Sequence, residues 1–275
     1  ATGLAQNADG SNYTYGWFID GGNNITIENC ESDKNCEGFS AANTSDLLFL
    51  NCDAHHLQDP YSPDAYGGSN GFSSTQQPAS TTITFKGCRA WRCSDDGFDF
   101  FDSDGTYNLD SCWAFWNGYK PGTYITAGNG VGFKLGPTHS DLSGSSRHFL
   151  KNCVAAQNRT QGFDQNDAKC INQLYNCTSY MNEGIGYHFN YNPSLNIRHI
   201  LKNNISFQDK RATALNDASI QTNNTWNEQT TIKVSSFISL ENTGINGPRQ
   251  ANGSLPLIQF LHPAPGSGLN GKGAF

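Results

Sequence analysis

Long apolar runs are absent from this 275-residue chain, and nothing in it approaches the roughly 18 consecutive apolar residues of a membrane helix. Basic residues are few and scattered, 17 Lys and Arg against 24 Asp and Glu. The net charge is therefore −7, and no Lys/Arg cluster supplies the footprint of a nucleic-acid binder. No Cys-x-x-Cys pair occurs among the nine cysteines, which argues against a zinc site of that kind. Amphipathic helical periodicity is hard to find anywhere, which excludes most α/β architectures. The first residues, ATGLAQNADG, carry neither a basic start nor an apolar signal core, so the chain reads as mature or trimmed. With 36% apolar residues and 29 glycines, one large folded domain is expected.

What the chain does have is a repeat. The phrase "apolar, x, Asn, Cys", with substitutions, recurs around Cys30, Cys52, Cys88, Cys112, Cys153, Cys177 and Asn204, at intervals of 22, 36, 24, 41, 24 and 27 residues. Two places later comes a small residue each time: Ser32, Ala54, Ala90, Ala114, Ala155, Ser179, Ser206. Three places earlier comes a bulky apolar one: Ile27, Phe49, Phe85, Leu109, Leu150, Leu174, Leu201. A second phrase, Gly then aromatic, follows at Phe39, Phe72, Phe98, Phe133, Phe163 and Tyr187. Alternate positions share a face, as in strands. Short strands in units of about 22 to 25 residues with stacked like side chains predict an all-β fold, a single right-handed parallel β-helix of about seven or more coils. That domain spans 1–275, with 235–275 an irregular segment packing on the coils. Ladder cysteines are expected as buried, inert thiols. Cys36, Cys93 and Cys170 lie off the ladder, with a disulfide open to any of them. Two units carry extra residues before their second phrase, Ala54 to Asn70 and Ala114 to Val131, predicting long loops on one face.

The residue after each Gly-aromatic pair has the opposite parity to the aromatic and should face solvent. In coil order these are Ser40, Ser73, Asp99, Lys134, Asp164 and His188, which sets Lys134 between two carboxylates. Around Asp99 the chain reads SDDGFD, placing Asp95, Asp96 and Asp99 together, with Asn70 stacked on Asp96 from the previous coil. Crowded carboxylates repel, whereas a hard divalent cation with six to eight oxygen ligands turns crowding into binding, and calcium suits this better than magnesium. The bland alternatives are a solvated acidic turn and a lysine paired with Asp99 and Asp164. A lysine fixed beside a cation could instead have its pKa lowered toward the range useful for a general base, although neighbouring carboxylates push the other way.

SDDGFD, the NGVGFKLG stretch (Asn129 to Gly136), GFDQN (Gly162 to Asn166) and GPRQANGSLP (Gly247 to Pro256) together resemble the pectate lyases of polysaccharide lyase family nine, from about Asn51 onward. The resemblance implies calcium-dependent β-elimination on a uronic-acid polymer. It assigns Lys134 as base and Asp95, Asp96 and Asp99 as calcium carboxylates, with Asn70 in the place of a further calcium-binding Asp. That departure removes one negative charge from the shell. The family usually has more chain before the first coil, so a reduced N-terminal cap is expected. Asn129, Asp164, Gln165, Asn166 and His188 are candidate substrate contacts. Tyr61, Tyr66, Trp116, Tyr119 and Tyr124 lie in or beside the two long loops and could stack on sugars.

The expected partner is an acidic plant polysaccharide, pectate first and rhamnogalacturonan next. The protein is expected to be a secreted monomer, with glycosylation open at Asn12, Asn24, Asn43, Asn158, Asn176, Asn204, Asn223 and Asn252. Two other functions fit the same fold: a polygalacturonase-type hydrolase, and a non-catalytic carbohydrate-binding β-helix with structural calcium.

Overall fold

In a computed structural model of the chain, which describes residues 1–136, 146–192, 197–227 and 231–273, each coil is built of up to three short strands joined by tight corners. The strands stack into three parallel sheets of eight, eight and seven members among the described residues, every strand pairing with the one three places on in the chain. One sheet runs from Tyr15–Asp20 through Phe98–Asp99 and Phe133–Lys134 to Arg211–Leu215, and it carries the candidate site.

The repeated Asn-Cys phrase has a backbone cause. The residue before each ladder position turns the corner in the left-handed conformation: Asn29, Asn51, Gly87, Ser111, Asn152, Asn176 and Asn203 have φ from 52° to 64°. Asn and Gly tolerate that region best, so the corner selects them. A second left-handed corner, at Lys34, His56, Arg92, Trp116, Gln157, Met181 and Gln208, leads back toward the site sheet. Just after it an asparagine ladder runs up the inside: the Cys93 amide donates to Asn117, Asn117 to Asn158, Asn158 to Asn182, and Asn182 to Asp209. Each bond closes one coil onto the next beside the segment that holds Asp95 and Asp96. Asn158 and Asn204 are fully buried in such ladders, which removes both from the possible glycan acceptors of the folded protein.

Core stacking follows the sequence pattern. Phe39, Phe72, Phe98, Phe133, Phe163 and Tyr187 stack face to face with centroids 4.8 to 5.0 Å apart. Phe49, Phe85, Leu109, Leu150, Leu174 and Leu201 pair in register, as do Ala54, Ala90, Ala114, Ala155 and Ser179. The ladder cysteines from Cys52 to Cys177 are buried, while Cys30, in the first coil, is half-buried. Burial raises the Cys88, Cys112 and Cys153 thiols well above their ordinary value, and each donates to a carbonyl of the preceding coil. All nine cysteines are free, so the disulfides left open for Cys36, Cys93 and Cys170 do not form.

Beyond Ile232 the chain lays an irregular strap, with one short 3-10 turn at Val234–Ser236, over the third sheet. Phe237, Ile245, Phe260, Leu261 and Leu269 pack there against Trp91, Trp113, Phe115, Tyr180 and Phe207. Arg89, buried at 2% exposure, fastens the strap, because it grips both oxygens of Asp53 at 2.8 and 2.6 Å and donates to the carbonyls of Ile245 and Gly247. Arg249 reaches back from the strap to the same carboxylate at 2.5 and 3.0 Å.

Candidate active site

The row beside the aromatic stack forms in the expected order, with Ser40, Ser73, Asp99, Lys134, Asp164 and His188 in register. Its environment differs from expectation, since Ser40, Ser73, Asp99 and Asp164 are buried rather than solvent-facing. Neighbouring side chains and the end of the first long loop, Gly67, Gly68 and Asn70, convert part of the sheet face into a groove of about 440 Å³, lined also by Tyr13, Tyr15, Glu37, Ser73, Phe101 and Lys134.

Lys134 sits in that groove with its side chain 12% exposed. Its Nζ lies 3.1 Å from Asp96 Oδ2 and 3.1 Å from Asp99 Oδ2. The Phe101 ring closes one side, 5.7 Å from Nζ to centroid. Asp164, expected as its second carboxylate neighbour, turns instead to His188 Nδ1 at 3.0 Å. Register alone cannot distinguish these partners, because Asp96 reaches Lys134 from the turn before the strand.

The electrostatics favour protonated Lys134. Burial pulls its pKa down, but Asp96, Asp99 and Asp95 together push harder and hold it above the ordinary lysine range. Of the two opposing pulls foreseen from the sequence, that of the carboxylates is the stronger here. The carboxylates respond in the complementary sense, with Asp95 raised by burial and then by Asp96, and Asp99 raised by burial against the pull of Lys134.

These residues fit a hard cation in donor type. Asp96 Oδ2 is buried with the Lys134 ammonium as its partner at 3.1 Å. Asp96 Oδ1 is held by the Val131 amide at 2.7 Å and Asp95 Oδ1 by the Asn129 amide at 2.5 Å, so the second long loop fixes both carboxylates from the backbone. Asp99 Oδ1 accepts from the Phe101 amide at 3.0 Å. Asn70 Oδ1 accepts the Asp96 amide at 3.1 Å and so braces the turn. Among the described residues the one trio of His, Cys, Asp or Glu with ligand atoms within 4.8 Å of one another lies elsewhere. The three carboxylates are thus held apart here, with the Lys134 ammonium between Asp96 and Asp99.

Glu37 belongs to this site and escaped the sequence reading. It precedes Gly38-Phe39 as Asn70 precedes Gly71-Phe72 and Asp96 precedes Gly97-Phe98, so extending the Asn70-on-Asp96 stack by one coil would have found it. Ser73 Oγ donates to one of its oxygens and Tyr13 Oη to the other. Burial pushes its pKa from 4.5 up to about 8. A carboxyl raised in the folded state keeps a proton that the unfolded chain has lost, so it removes stability as pH climbs from about 4.5 to about 8. Glu37→Gln stays neutral throughout. Its melting temperature in chelator should overtake that of the parent by several degrees near pH 8 and match it near pH 4.5, and parallel curves at both would remove Glu37 from this account.

The remaining candidates divide. His188, hydrogen-bonded to Asp164 and raised in pKa mainly by that bond, faces the groove row, while Asn129 is exposed on the second long loop. Gln165 does not present its amide to the row: it is buried, its Nε2 donating to the Ala168 and Tyr191 carbonyls and its Oε1 accepting the Tyr191 amide. Asn166 donates to the Gly136 carbonyl and so supports the turn after Lys134. Of the aromatics, Tyr61 and Tyr124 are exposed, whereas Tyr119 is buried with its hydroxyl on Glu183. Trp116 packs toward the strap beside Arg92, away from the site.

The sequence profile described as "Pel9A-like, right handed beta helix region" matches residues 2–204. The chain belongs to that family. This Pel9A-like chain is 33% identical over 225 residues to pectate lyase L of Dickeya dadantii (strain 3937), a match covering 82% of the chain and 50% of the relative. It is 26% identical over 275 residues to pectate lyase PEL9 of Emericella nidulans, covering 93% of the chain and 65% of the relative. Among solved structures, a rhamnogalacturonan lyase superposes with a TM-score of 0.82 at 28% identity, covering 100% of this chain and 70% of that one. The crystal structure of pectate lyase Pel9A gives 0.78 at 30%, covering 91% and 61%. The chain thus spans about half the length of the first of these curated relatives.

Proposed function

We propose that this Pel9A-like chain is a secreted polysaccharide lyase that cleaves a uronic-acid polymer by β-elimination, with Lys134 as general base. The observation that carries this reading is a single lysine buried between Asp96 and Asp99 on the wall of a cavity of about 440 Å³. Relatives named pectate lyase and a structural neighbour named rhamnogalacturonan lyase support the class and suggest both polymers. A polygalacturonase-type hydrolase would need two carboxyls flanking the scissile bond and gives Lys134 no role.

Asp95, Asp96, Asp99 and Asn70 would hold calcium, which when bound neutralises a substrate carboxylate and stabilises the charge that develops on it. The chain's own residues do the rest. Asp96 and Asp99 hold Lys134 Nζ at the groove floor, and Phe101 shields one side of it from water. Once neutral, the amine takes the C5 proton of a uronate, and the electron pair forms the C4–C5 double bond as the bond to O4 breaks. Water supplies the proton that O4 gains. His188, hydrogen-bonded to Asp164, and the exposed Asn129 would contact neighbouring sugars.

The direct test is ultraviolet absorbance near 235 nm, which reports the unsaturated product (roughly, from the double bond formed opposite the base), on polygalacturonate and rhamnogalacturonan with calcium and with chelator. A calcium-dependent rise on either polymer is expected; no rise on both would leave the carbohydrate-binding reading. Asp96→Asn should raise the calcium concentration needed for half-maximal activity at least tenfold, because a charged carboxylate oxygen is replaced by an amide nitrogen that cannot ligate the ion. An unchanged calcium titration would remove the cluster from the site.

A further inference from the structure

A second cluster stands on the third sheet, away from the groove. Asp33 and His55 are register neighbours on adjacent coils, at the ends of strands Glu31–Asp33 and Asp53–His55. Neighbouring residues on a strand point to opposite faces, but His56 occupies the left-handed corner, φ 53°, and its ring swings to the side of His55. Three potential ligand atoms therefore converge. His55 Nδ1 lies 2.8 Å from His56 Nδ1 and 3.0 Å from Asp33 Oδ1, and His56 Nδ1 lies 3.4 Å from Asp33 Oδ1.

Two further observations point to an ion at their centre. Asp33 Oδ1 is buried and accepts no hydrogen bond, although both imidazoles are within reach. His55 Nε2 lies 2.7 Å from Glu31 Oε1. Glu31 as a carboxylate can only accept, so Nε2 donates to it, which leaves Nδ1 as the ring nitrogen that can offer a lone pair beside Asp33. Lone pairs facing one another at these distances repel unless a proton or a metal ion lies between them. Ligands at the usual zinc distances of about 2.0 to 2.1 Å in a tetrahedron are separated by about 3.3 Å, close to the observed triangle. A carboxylate on the far nitrogen of a ligating histidine is the usual outer partner of such sites.

Surrounding packing fixes the rings. Trp91 of the next coil stacks on His55 at 4.2 Å and 21°. In later coils the same row runs Trp91, Phe115, Ala156, Tyr180 and Phe207 beneath the strap, and it becomes polar only here. Lys34 takes the other oxygen of Asp33, Oδ2, at 3.0 Å and leaves Oδ1 to the cluster.

We propose that Asp33, His55 and His56 form a binding site for a zinc-class divalent ion, with Glu31 as outer partner and a fourth position open to water. Nitrogen donors exclude calcium from it and separate it from the acidic groove. Its effect would be to clamp the first coil to the second. Independence from the lyase reading makes the two separable.

Full-length protein stripped with chelator and titrated calorimetrically with zinc chloride should bind one equivalent and gain thermal stability. His56→Gln keeps the corner, since Gln157 and Gln208 occupy the equivalent position at φ 55° and 58°, and should weaken binding at least about tenfold. Asp33→Asn should do the same, and Glu31→Gln should weaken it about tenfold through His55. Asp96→Asn should leave it unchanged. Cobalt titration gives a second readout, the visible absorption of a four-coordinate site, lost in His56→Gln. No zinc binding, or binding that survives in both His56→Gln and Asp33→Asn, would overturn the site and leave His55 as an imidazolium clamped between two carboxylates.

Discussion

Lys134→Ala is expected to lower turnover by at least about 10² to 10⁴, the usual contribution of a positioned general base, and to lower stability as well. The second effect comes from the structure. The sequence alone suggests a surface lysine whose loss leaves folding nearly intact, whereas Lys134 is the cation between Asp96 Oδ2 and Asp99 Oδ2. Its removal leaves two buried carboxylates facing each other, a change of the kind that costs about 3–5 kcal/mol. Calcium should restore the melting temperature of this variant without restoring activity, because an ion can replace the charge but not the base. Lys134→Arg separates the roles in the other direction, retaining charge and stability while losing the neutral amine. Full turnover in either variant would sink the base assignment, and a melting temperature of Lys134→Ala that ignores calcium would sink the cation site. With its pKa held high by the carboxylates, the lysine is protonated at neutral pH in the ion-free protein. Activity should therefore climb on the alkaline side, and it should climb at lower pH as calcium is raised. The ammonium's contribution to stability has the opposite dependence: it is complete below the unfolded lysine pKa and is lost as pH rises through the raised folded value.

Arg89→Ala should release the C-terminal strap. The guanidinium is buried and makes two bonds to Asp53 and two to strap carbonyls, while Arg249 approaches the same carboxylate from the strap. Burial alone would raise the Asp53 pKa, yet the two arginines hold it below the usual carboxylate value. Truncating Arg89 strands part of that charge and orphans two carbonyls, a loss of about 3–5 kcal/mol, or on the order of 10 °C in melting temperature. Limited proteolysis should then cut first near Val234, where the strap begins, leaving a β-helical fragment. Arg249→Gln, at the less buried end of the cluster, should show the same cleavage more weakly and keeps the test open if Arg89→Ala does not fold. An unchanged melting temperature and cleavage pattern in both would mean that apolar packing alone holds the strap.

Much of this is legible in the chain because a β-helix is nearly one-dimensional. Each coil contacts the next in register, so a residue's neighbours recur at the repeat interval, and Ala54, Ala90 and Ala114, or Phe72, Phe98 and Phe133, can be stacked without coordinates. The Asn-Cys phrase is legible for a second reason, since a left-handed corner restricts which residues precede the ladder. The row through Lys134 follows from parity. The asparagine ladder from Asn117 to Asp209 was equally available, but Cys93 and Leu57 stand in its earlier places and break the pattern.

The sequence by itself determined the coil, its register, and which side chains share a stack, because backbone pairing in parallel strands is local and periodic. Tertiary structure alone decided what lies over the sheets. Loops and side chains that obey no period buried the row around Lys134, gave it Asp96 rather than Asp164 as a partner, and turned His56 back onto His55. The strap meets Arg89 across more than 150 residues of chain, a contact fixed by charge burial and packing rather than by any repeat. Burial then set the charges, because desolvation depends on what covers a group and not on its place in the coil.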